Sequence, residues 1–152
     1  MTYEGLVIEA EKHGLIVKEK PLKAYKGRIK GKRIAIKKDL PNNTEKKCTL
    51  AEELGHYHTT VGNILDQSDI NNRKQERLAR AWGYRNLVGI MDLVNAYKSG
   101  VRNRFELAEY LDVTEEYIEE VLKYYSQKHG QFFVIDNYAV YFDPLVIIEV
   151  WE

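Results

Sequence analysis

The first hydrophobic positions of the chain recur with the period of a helix. Leu6 and Ala10 lie on the same side of a helix predicted over residues 2–13, and Gly14 is a typical helix stop. Residues 15–17 are three consecutive apolar positions, which favours a short strand directly after this helix.

The period then changes from that of a helix to that of a strand. Residues 25–29 and 33–37 alternate apolar and polar positions on either side of a turn at residues 30–32. This pattern predicts a β-hairpin, with Ile34 and Ile36 on one face of its second strand.

The remaining pattern is mainly helical and closes with a second hairpin. The predicted elements are a helix ending near residue 59, a loop over 61–69, a long helix capped by Asn71 or Asn72 and continuing to residue 98, helices over 104–110 and 114–128, and strands over 132–135 and 138–142. We therefore predict an α+β fold, with a small twisted antiparallel or mixed sheet followed by a helical C-terminal region. Residues 1–100 are predicted to form one domain, and residues 101–152 a helical hairpin with a terminal β-hairpin.

Length and composition are those of an ordinary globular protein. The 152 residues are enough for a real hydrophobic core, and no apolar run approaches the roughly 18–20 residues of a membrane span. The single cysteine, Cys48, cannot form an internal disulfide, and the N-terminus lacks the apolar core of a signal peptide. We therefore expect a cytoplasmic protein without a membrane partner.

The zero net charge conceals a strong asymmetry along the chain. Residues 1–47 hold 13 Lys/Arg and 6 Asp/Glu, whereas residues 48–152 hold 10 and 17. Ten of the basic residues lie within residues 18–38, opposed only by Glu19. Such a segment suits an acidic partner or nucleic acid, but a solvated hairpin whose lysines guard an edge strand is the favoured interpretation.

The most informative segment is Leu-Ala-Glu-Glu-Leu-Gly-His-Tyr at residues 50–57. It differs by one residue from the His-Glu-x-x-His helix of zinc peptidases, in which two histidines bind the metal and the glutamate activates water. On a helix, Glu52 and His56 lie one turn apart on the same face, and Glu53 lies beside them as a candidate general base. A third ligand is needed, for which Glu76 is the best candidate, although spacing alone does not separate it from the aspartates at 66 and 69.

With these motifs, residues 1–100 resemble the ImmA/IrrE metallopeptidases of bacteria, phages and mobile elements. Residues 51–56 match the Ala-His-Glu-Leu-Gly-His helix of that family, and residues 76–82 match its Glu-x-x-Ala-x-x-Trp/Phe stretch. The resemblance implies a zincin-like helix packed on the sheet, zinc ligands at His56 and Glu76, and Glu53 as the base. It also implies a helix-turn-helix transcriptional repressor as substrate or binding partner.

Glu52 departs from the family pattern, because it occupies the position of the first histidine ligand. A carboxylate can bind zinc, but a second carboxylate neutralises the ion, acidifies its water less and shifts preference toward harder ions such as manganese. We therefore expect weaker zinc binding and slower hydrolysis. The alternative is structural: if the helix begins at Thr49, Thr49 and Glu52 form a capping box and Glu52 binds no metal.

The basic hairpin is a candidate substrate site. In peptidases with this helix, substrate commonly lies as an added strand along a sheet edge near the metal. The predicted second hairpin strand would provide that edge and the main-chain hydrogen bonds of substrate binding. The substrate-binding residues predicted on it are Arg33, Ile34, Ala35 and Ile36.

Residues 105–122 have the pattern of a helix-turn-helix, but their charge is wrong for DNA. Seven acids and two basic residues lie between residues 103 and 125, so phosphate would be repelled. We therefore expect a helical hairpin for packing or protein contact, with no direct DNA binding; a DNA-binding regulator is the least favoured function. The acidic pair also permits an inactive family member that acts as an antirepressor by binding a repressor's basic surface.

Overall fold

The computed structural model describes residues 1–59 and 70–150, with only the backbone described at residues 70–72. Contacts within the chain group it into two compact units, Met1–Asn86 and Leu87–Glu152. The elements of the described residues are α1 Tyr3–Lys12, β1 Ile16–Lys20, β2 Gly27–Lys30, β3 Arg33–Lys37, α2 Asn43–Thr59, α3 Ile70–Leu87, α4 Ile90–Lys98, α5 Arg104–Leu111, α6 Glu115–His129, β4 Phe132–Ile135, β5 Tyr138–Phe142 and β6 Leu145–Glu149. The predicted α+β class is confirmed.

The first unit contains a mixed three-stranded sheet in the order β1-β3-β2. Strand β3 pairs in parallel with β1 and antiparallel with β2. Ile34 and Ile36 are buried on the sheet face that packs against α2, as their alternation predicts. Helix α1 also contacts α2 and β1, so the two helices and this sheet face enclose the core of the unit.

The predicted substrate edge is wrong, because β3 is the central strand. Its backbone is paired on both sides, from Ile16↔Arg33 on β1 to Gly27↔Ile36 on β2, so no further strand can add to it. Ile34 and Ile36 are in the core, and Arg33 and Ala35 lie on the opposite face. The sequence did not reveal that β1 would cover this side of the hairpin, since parallel pairing leaves no turn signal.

The long helix predicted to run to residue 98 is two helices. Helix α3 already begins at Ile70, before either predicted cap, and ends at Leu87. Gly89 has an extended backbone, and its amide donates a hydrogen bond of 2.8 Å to the Asp92 carboxylate, which caps the start of α4. The predicted loop at residues 61–69 lies outside the described residues.

The second unit combines α4–α6 with an antiparallel sheet in the order β4-β5-β6. The helix pair α5–α6 occurs close to its predicted boundaries, with Asp112 in the left-handed conformation between the helices and Thr114 capping α6. The predicted terminal hairpin gains a third strand, since β6 pairs with β5. Val140 and Phe142 are buried on the inner side of this sheet.

Candidate metal centre

Helix α2 carries the two candidate ligands of the motif in its middle, not at its start. The helix begins at Asn43, where the Asn42 side chain accepts a hydrogen bond of 2.9 Å from the Glu45 amide. Thr49 is therefore six residues inside the helix, and its amide takes part in the helix rather than awaiting a cap. The capping-box alternative for Glu52 is wrong.

A glycine brings α3 against α2 at the level of the motif. A Cβ atom added to Gly55 would lie 2.0 Å from the carbonyl oxygen of Ala79, so no side chain fits between the two backbones. Ala79 is itself fully buried. Because Glu76 lies one turn before Ala79, this close approach carries Glu76 to the face that bears Glu52 and His56.

The three predicted ligands converge in one cluster. One ligand atom each from Glu52, His56 and Glu76 lies within 4.8 Å of the others. The His56 Nε2 and Glu76 Oε2 atoms are 3.2 Å apart. Within residues 1–59 and 70–150, no other group of three or more His, Cys, Asp or Glu side chains is arranged in this way.

The donor set fits a divalent metal ion. Zinc bonds to carboxylate oxygen and imidazole nitrogen are about 2.0–2.2 Å long, so two ligands of one tetrahedral ion lie about 3.4 Å apart. The widest pair of ligand atoms therefore has to close by up to about 1.4 Å, a movement within the range of side-chain rotation. Three protein ligands also leave a coordination position open, as in catalytic zinc sites.

Glu53 lies beside the cluster in a dry environment. Its side chain is 8 % exposed, and burial, with smaller contributions from the charges of Glu52 and Glu76, raises its pKa from 4.5 to about 7 although His56 opposes the shift. Strand β2 helps to cover it, because a Cβ atom at Gly27 would lie 3.2 Å from its Cγ. A carboxyl group with a pKa near neutrality is suited to accept and return a proton.

The pKa values of the three candidate ligands shift in different directions: that of Glu76 is lowered, whereas those of His56 and Glu52 are raised. The hydrogen bond with His56 holds the pKa of Glu76 well below its usual range. Burial alone would lower the pKa of His56, but the hydrogen bond and charge of Glu76, with the charges of Glu53 and Glu52, outweigh burial and raise it. Burial and a hydrogen bond with Glu76 raise the pKa of Glu52, against the charge of Arg80.

Arg80 is a further charged member of the site. Its Nε atom lies 3.4 Å from Glu52 Oε1 and 3.8 Å from Glu76 Oε1. Arg80 lies four residues after Glu76 on α3, and this one-turn spacing is the sequence signal that could have predicted their contact.

The other candidate ligands do not join the cluster. His58 stacks on Trp82, with ring centroids 4.7 Å apart, and meets the rings of Tyr57 and His13 edge to face. His58 is two positions from His56, about 200° around the helix, so its ring lies on another face of α2. The aspartates at 66 and 69 lie outside the described residues.

A comparison with protein families matches the sequence to a known group. The model described as IrrE N-terminal-like domain, Peptidase_M78, matches residues 10–123, well over half of the chain. The chain belongs to the IrrE N-terminal-like family. No curated protein and no solved structure matches it significantly. The resemblance inferred from the two motifs is thus confirmed, and the protein is metallopeptidase-like.

The family match covers the elements of the candidate centre but does not extend to the end of the chain. The match to the IrrE N-terminal-like family contains α2, α3 and all four residues of the candidate centre, and it ends within α6. The sheet β4-β5-β6 therefore lies beyond the matched residues. None of the helices in the described part of the chain has the length and apolar character needed to cross a membrane.

Proposed function

We propose that the protein is a metal-dependent peptidase that acts on a helix-turn-helix transcriptional repressor of a phage or mobile element. The observation that carries this proposal is the convergence of Glu52, His56 and Glu76 around one point, with the buried Glu53 beside it. Membership of a metallopeptidase-like family supports the reaction class, and the repressor follows from the resemblance to ImmA/IrrE proteins.

The four residues divide the work of hydrolysis. Glu52, His56 and Glu76 would hold zinc, or manganese given the two carboxylates, and the bound ion supplies Lewis acidity toward water and the scissile carbonyl. Glu53 accepts the proton of the attacking water and then donates it to the leaving amine. Its burial, which raises its pKa to about 7 in the metal-free protein, favours both proton uptake and proton return.

Substrate would add as a strand to the outer edge of β2. Strand β2 is at one end of the β1-β3-β2 order, so its outer edge is not paired within the described sheet. Gly27 at its start lies against Glu53, which brings this edge close to the general base. Main-chain hydrogen bonds along an exposed edge are a common mode of peptide recognition.

A second function is favoured by Arg80. Its contacts with Glu52 and Glu76 balance the carboxylate charges internally, which weakens the demand for a metal ion. A member of the family with such a site would act as an antirepressor by binding the repressor without cleaving it.

One experiment separates the two functions. Purified protein with zinc or manganese is incubated with a helix-turn-helix repressor of a phage or mobile element, beside a Glu53→Gln variant. Peptidase activity predicts a cleaved repressor with the wild type and an intact, captured repressor with the variant. If both forms bind the repressor and neither cleaves it, the antirepressor function replaces the enzymatic one; if neither form binds it, the repressor is not the target.

A further inference from the structure

The sheet of the first unit has one strongly cationic face. Strand alternation places six basic side chains on the side opposite α1 and α2: Lys18, Lys20, Arg28, Lys30, Arg33 and Lys37. We name these six residues the basic sheet face. The sequence showed a basic segment, but only strand register decides that these six cations share one surface.

The register brings the six cations into a compact array. Lys30 on β2 is directly opposite Arg33 on β3, and Lys20 on β1 is beside Lys37 on β3. Lys18 and Arg28 flank Ala35 from its two sides. Neighbouring strands are about 4.8 Å apart and same-face residues of one strand about 6.6 Å apart, so the array holds dense positive charge.

No acid on the three strands offsets this charge. Glu19 is the only acid in β1–β3, and its side chain lies on the inner face, 3.0 Å from Lys46 and 3.3 Å from the Tyr3 hydroxyl. Five of the six cations are exposed, and Lys37 is half-buried. Among the residues that the structure describes, no carboxylate forms an ion pair with any of them.

We propose that the basic sheet face binds the phosphate backbone of double-stranded DNA without reading its sequence. Dense like charge is costly unless it is neutralised, and duplex DNA presents a matching density of negative charge. The surrounding unit strengthens the attraction, since residues 1–86 hold 18 Lys/Arg and 11 Asp/Glu.

The composition of the face favours duplex DNA over other anions. Single strands are held mainly by aromatic stacking, and the six residues and their neighbours Ile16 and Ala35 include no aromatic ring. The face also lacks Ser, Thr, Asn and Gln, which would contact the 2′-hydroxyls of RNA. An acidic peptide would need a buried anchor at its centre, where this face offers only Ala35.

The DNA surface and the metal centre are on opposite sides of the sheet. Helix α2 packs on the inner face through Ile34 and Ile36, whereas the basic sheet face is on the outer side. DNA could therefore be bound while the centre stays accessible. The expectation that the protein does not bind DNA came from the acidic α5–α6 pair. For the basic segment itself, nucleic acid was the less favoured alternative to a solvated hairpin, and the shared face of the six cations now favours it.

The test is direct binding to a labelled 30-base-pair duplex of arbitrary sequence, followed by fluorescence anisotropy between 25 and 200 mM NaCl. Wild-type protein is expected to bind, with a log–log salt slope of about −4 if roughly four or five phosphates are contacted. The Lys18→Gln/Lys30→Gln variant is expected to bind about tenfold or more weakly at 100 mM NaCl, with the slope reduced by about 2.

The matched control is Lys12→Gln/Lys128→Gln, which removes the same charge from two exposed helical positions off the face. It is expected to retain most of the affinity and the wild-type slope. If both double variants lose the same DNA affinity, the net charge of the protein and not the basic sheet face determines binding, and the proposal is overturned.

Two further results would also overturn it. One is the absence of duplex binding at 25 mM NaCl, and the other is capture of poly-glutamate or duplex RNA in clear preference to duplex DNA. DNA binding requires no hydrolysis, so the measurement is made with the Glu53→Gln variant as well. If DNA binding is absent, the peptidase proposal still stands. Conversely, DNA binding can be present in a protein that has no peptidase activity.

Discussion

At the scale of single residues, the character of the centre depends on Glu52. It occupies the position of a histidine ligand in the family motif, and it lies within reach of His56 and Glu76 as well as Arg80. We expect two carboxylates beside a guanidinium to bind zinc more weakly than two imidazoles and one carboxylate, because oxygen ligands suit harder ions and the guanidinium repels a cation. Glu52 therefore stays within reach of the other two candidate ligands although it is not a histidine.

Replacing Glu52 by histidine is expected to strengthen zinc binding. The Glu52→His variant restores two neutral ligands and leaves the ion net positive, so we expect affinity for zinc to rise about tenfold or more and zinc to be favoured over manganese. Competition with a chromogenic chelator measures both. The control is Glu11→His, an exposed position of α1. Unchanged zinc affinity in Glu52→His would remove residue 52 from the ligand set.

The raised pKa of Glu53 makes the metal-free protein sensitive to pH. In the folded state Glu53 keeps its proton up to about pH 7, whereas in the unfolded state it loses it near 4.5. The stability from this group is therefore complete below pH 4.5 and is lost as pH rises to about 7, a change of about 3 kcal/mol.

Urea unfolding in the presence of a chelator measures this dependence. Since His56 and Glu76 also titrate, the informative quantity is the difference between wild type and Glu53→Gln. We expect the free energy of unfolding of the variant, relative to wild type, to increase steadily between pH 5 and pH 7.5. A constant difference across that range would mean that Glu53 has an ordinary pKa.

At the scale of elements, the centre exists because two helices approach unusually closely. Gly55 on α2 and Ala79 on α3 allow the backbones to touch, which places Glu76 opposite the motif. On the other side of α2, Gly27 of β2 closes over Glu53 in the same way. Gly55 and Gly27 thus allow α3 and β2 to pack closely against the part of α2 that carries the motif.

Substituting Gly55 by alanine is expected to separate the helices. The added Cβ would lie 2.0 Å from a backbone oxygen, so the helices must shift, at a cost of about 1–3 kcal/mol or more. Loss of metal affinity is expected with it, because Glu76 moves away from His56. Thermal unfolding and zinc titration measure the two effects.

The control for this variant is Gly5→Ala in α1, where a Cβ would meet no backbone atom, only the Met1 side chain at 3.3 Å and the hydroxyl of the N-cap Thr2 at 3.4 Å. Its stability is expected to stay level or to rise by about 0.5–1 kcal/mol through better helix propensity. Comparable metal affinity in Gly55→Ala and wild type would contradict the role given to the α2–α3 contact.

At the scale of the whole molecule, neutrality results from two units of opposite charge. Residues 1–86 carry a net charge of +7, from 18 basic and 11 acidic residues, and residues 87–152 carry −7, from 5 and 12. Opposite patches on a chain of zero net charge favour association between copies when screening is weak.

We therefore expect the protein to self-associate at low ionic strength. Sedimentation velocity near pH 7 should show larger species at 20 mM NaCl and their dissociation at 300 mM NaCl. The Lys18→Gln/Lys30→Gln variant should associate less, because it weakens the positive patch. A monomer at every salt concentration would show that the two charge patches do not meet between copies.

The sequence by itself determined the class of the fold and indicated the residues of the candidate centre. Helical and strand periodicity depend only on neighbouring residues, so α1, α2, the hairpin and the α5–α6 pair were predictable. A near-intact peptidase motif indicated Glu52, Glu53 and His56 as candidate site residues. The alternation within residues 33–37 placed Ile34 and Ile36 on one face of their strand, and the structure shows that this face is buried. Glu76 required the family resemblance, because nothing local separates it from other acids.

Tertiary structure decided what depends on pairing between distant segments. Parallel pairing by β1 made β3 central and moved the free edge to β2, and hydrogen bonding by Gly89 and Asp92 divided the predicted long helix. The start of α2 at Asn43 excluded the cap at Thr49, and the Gly55–Ala79 contact brought Glu76 to His56. Periodicity records which face of an element is apolar, whereas the neighbour that covers that face is fixed only when the chain folds.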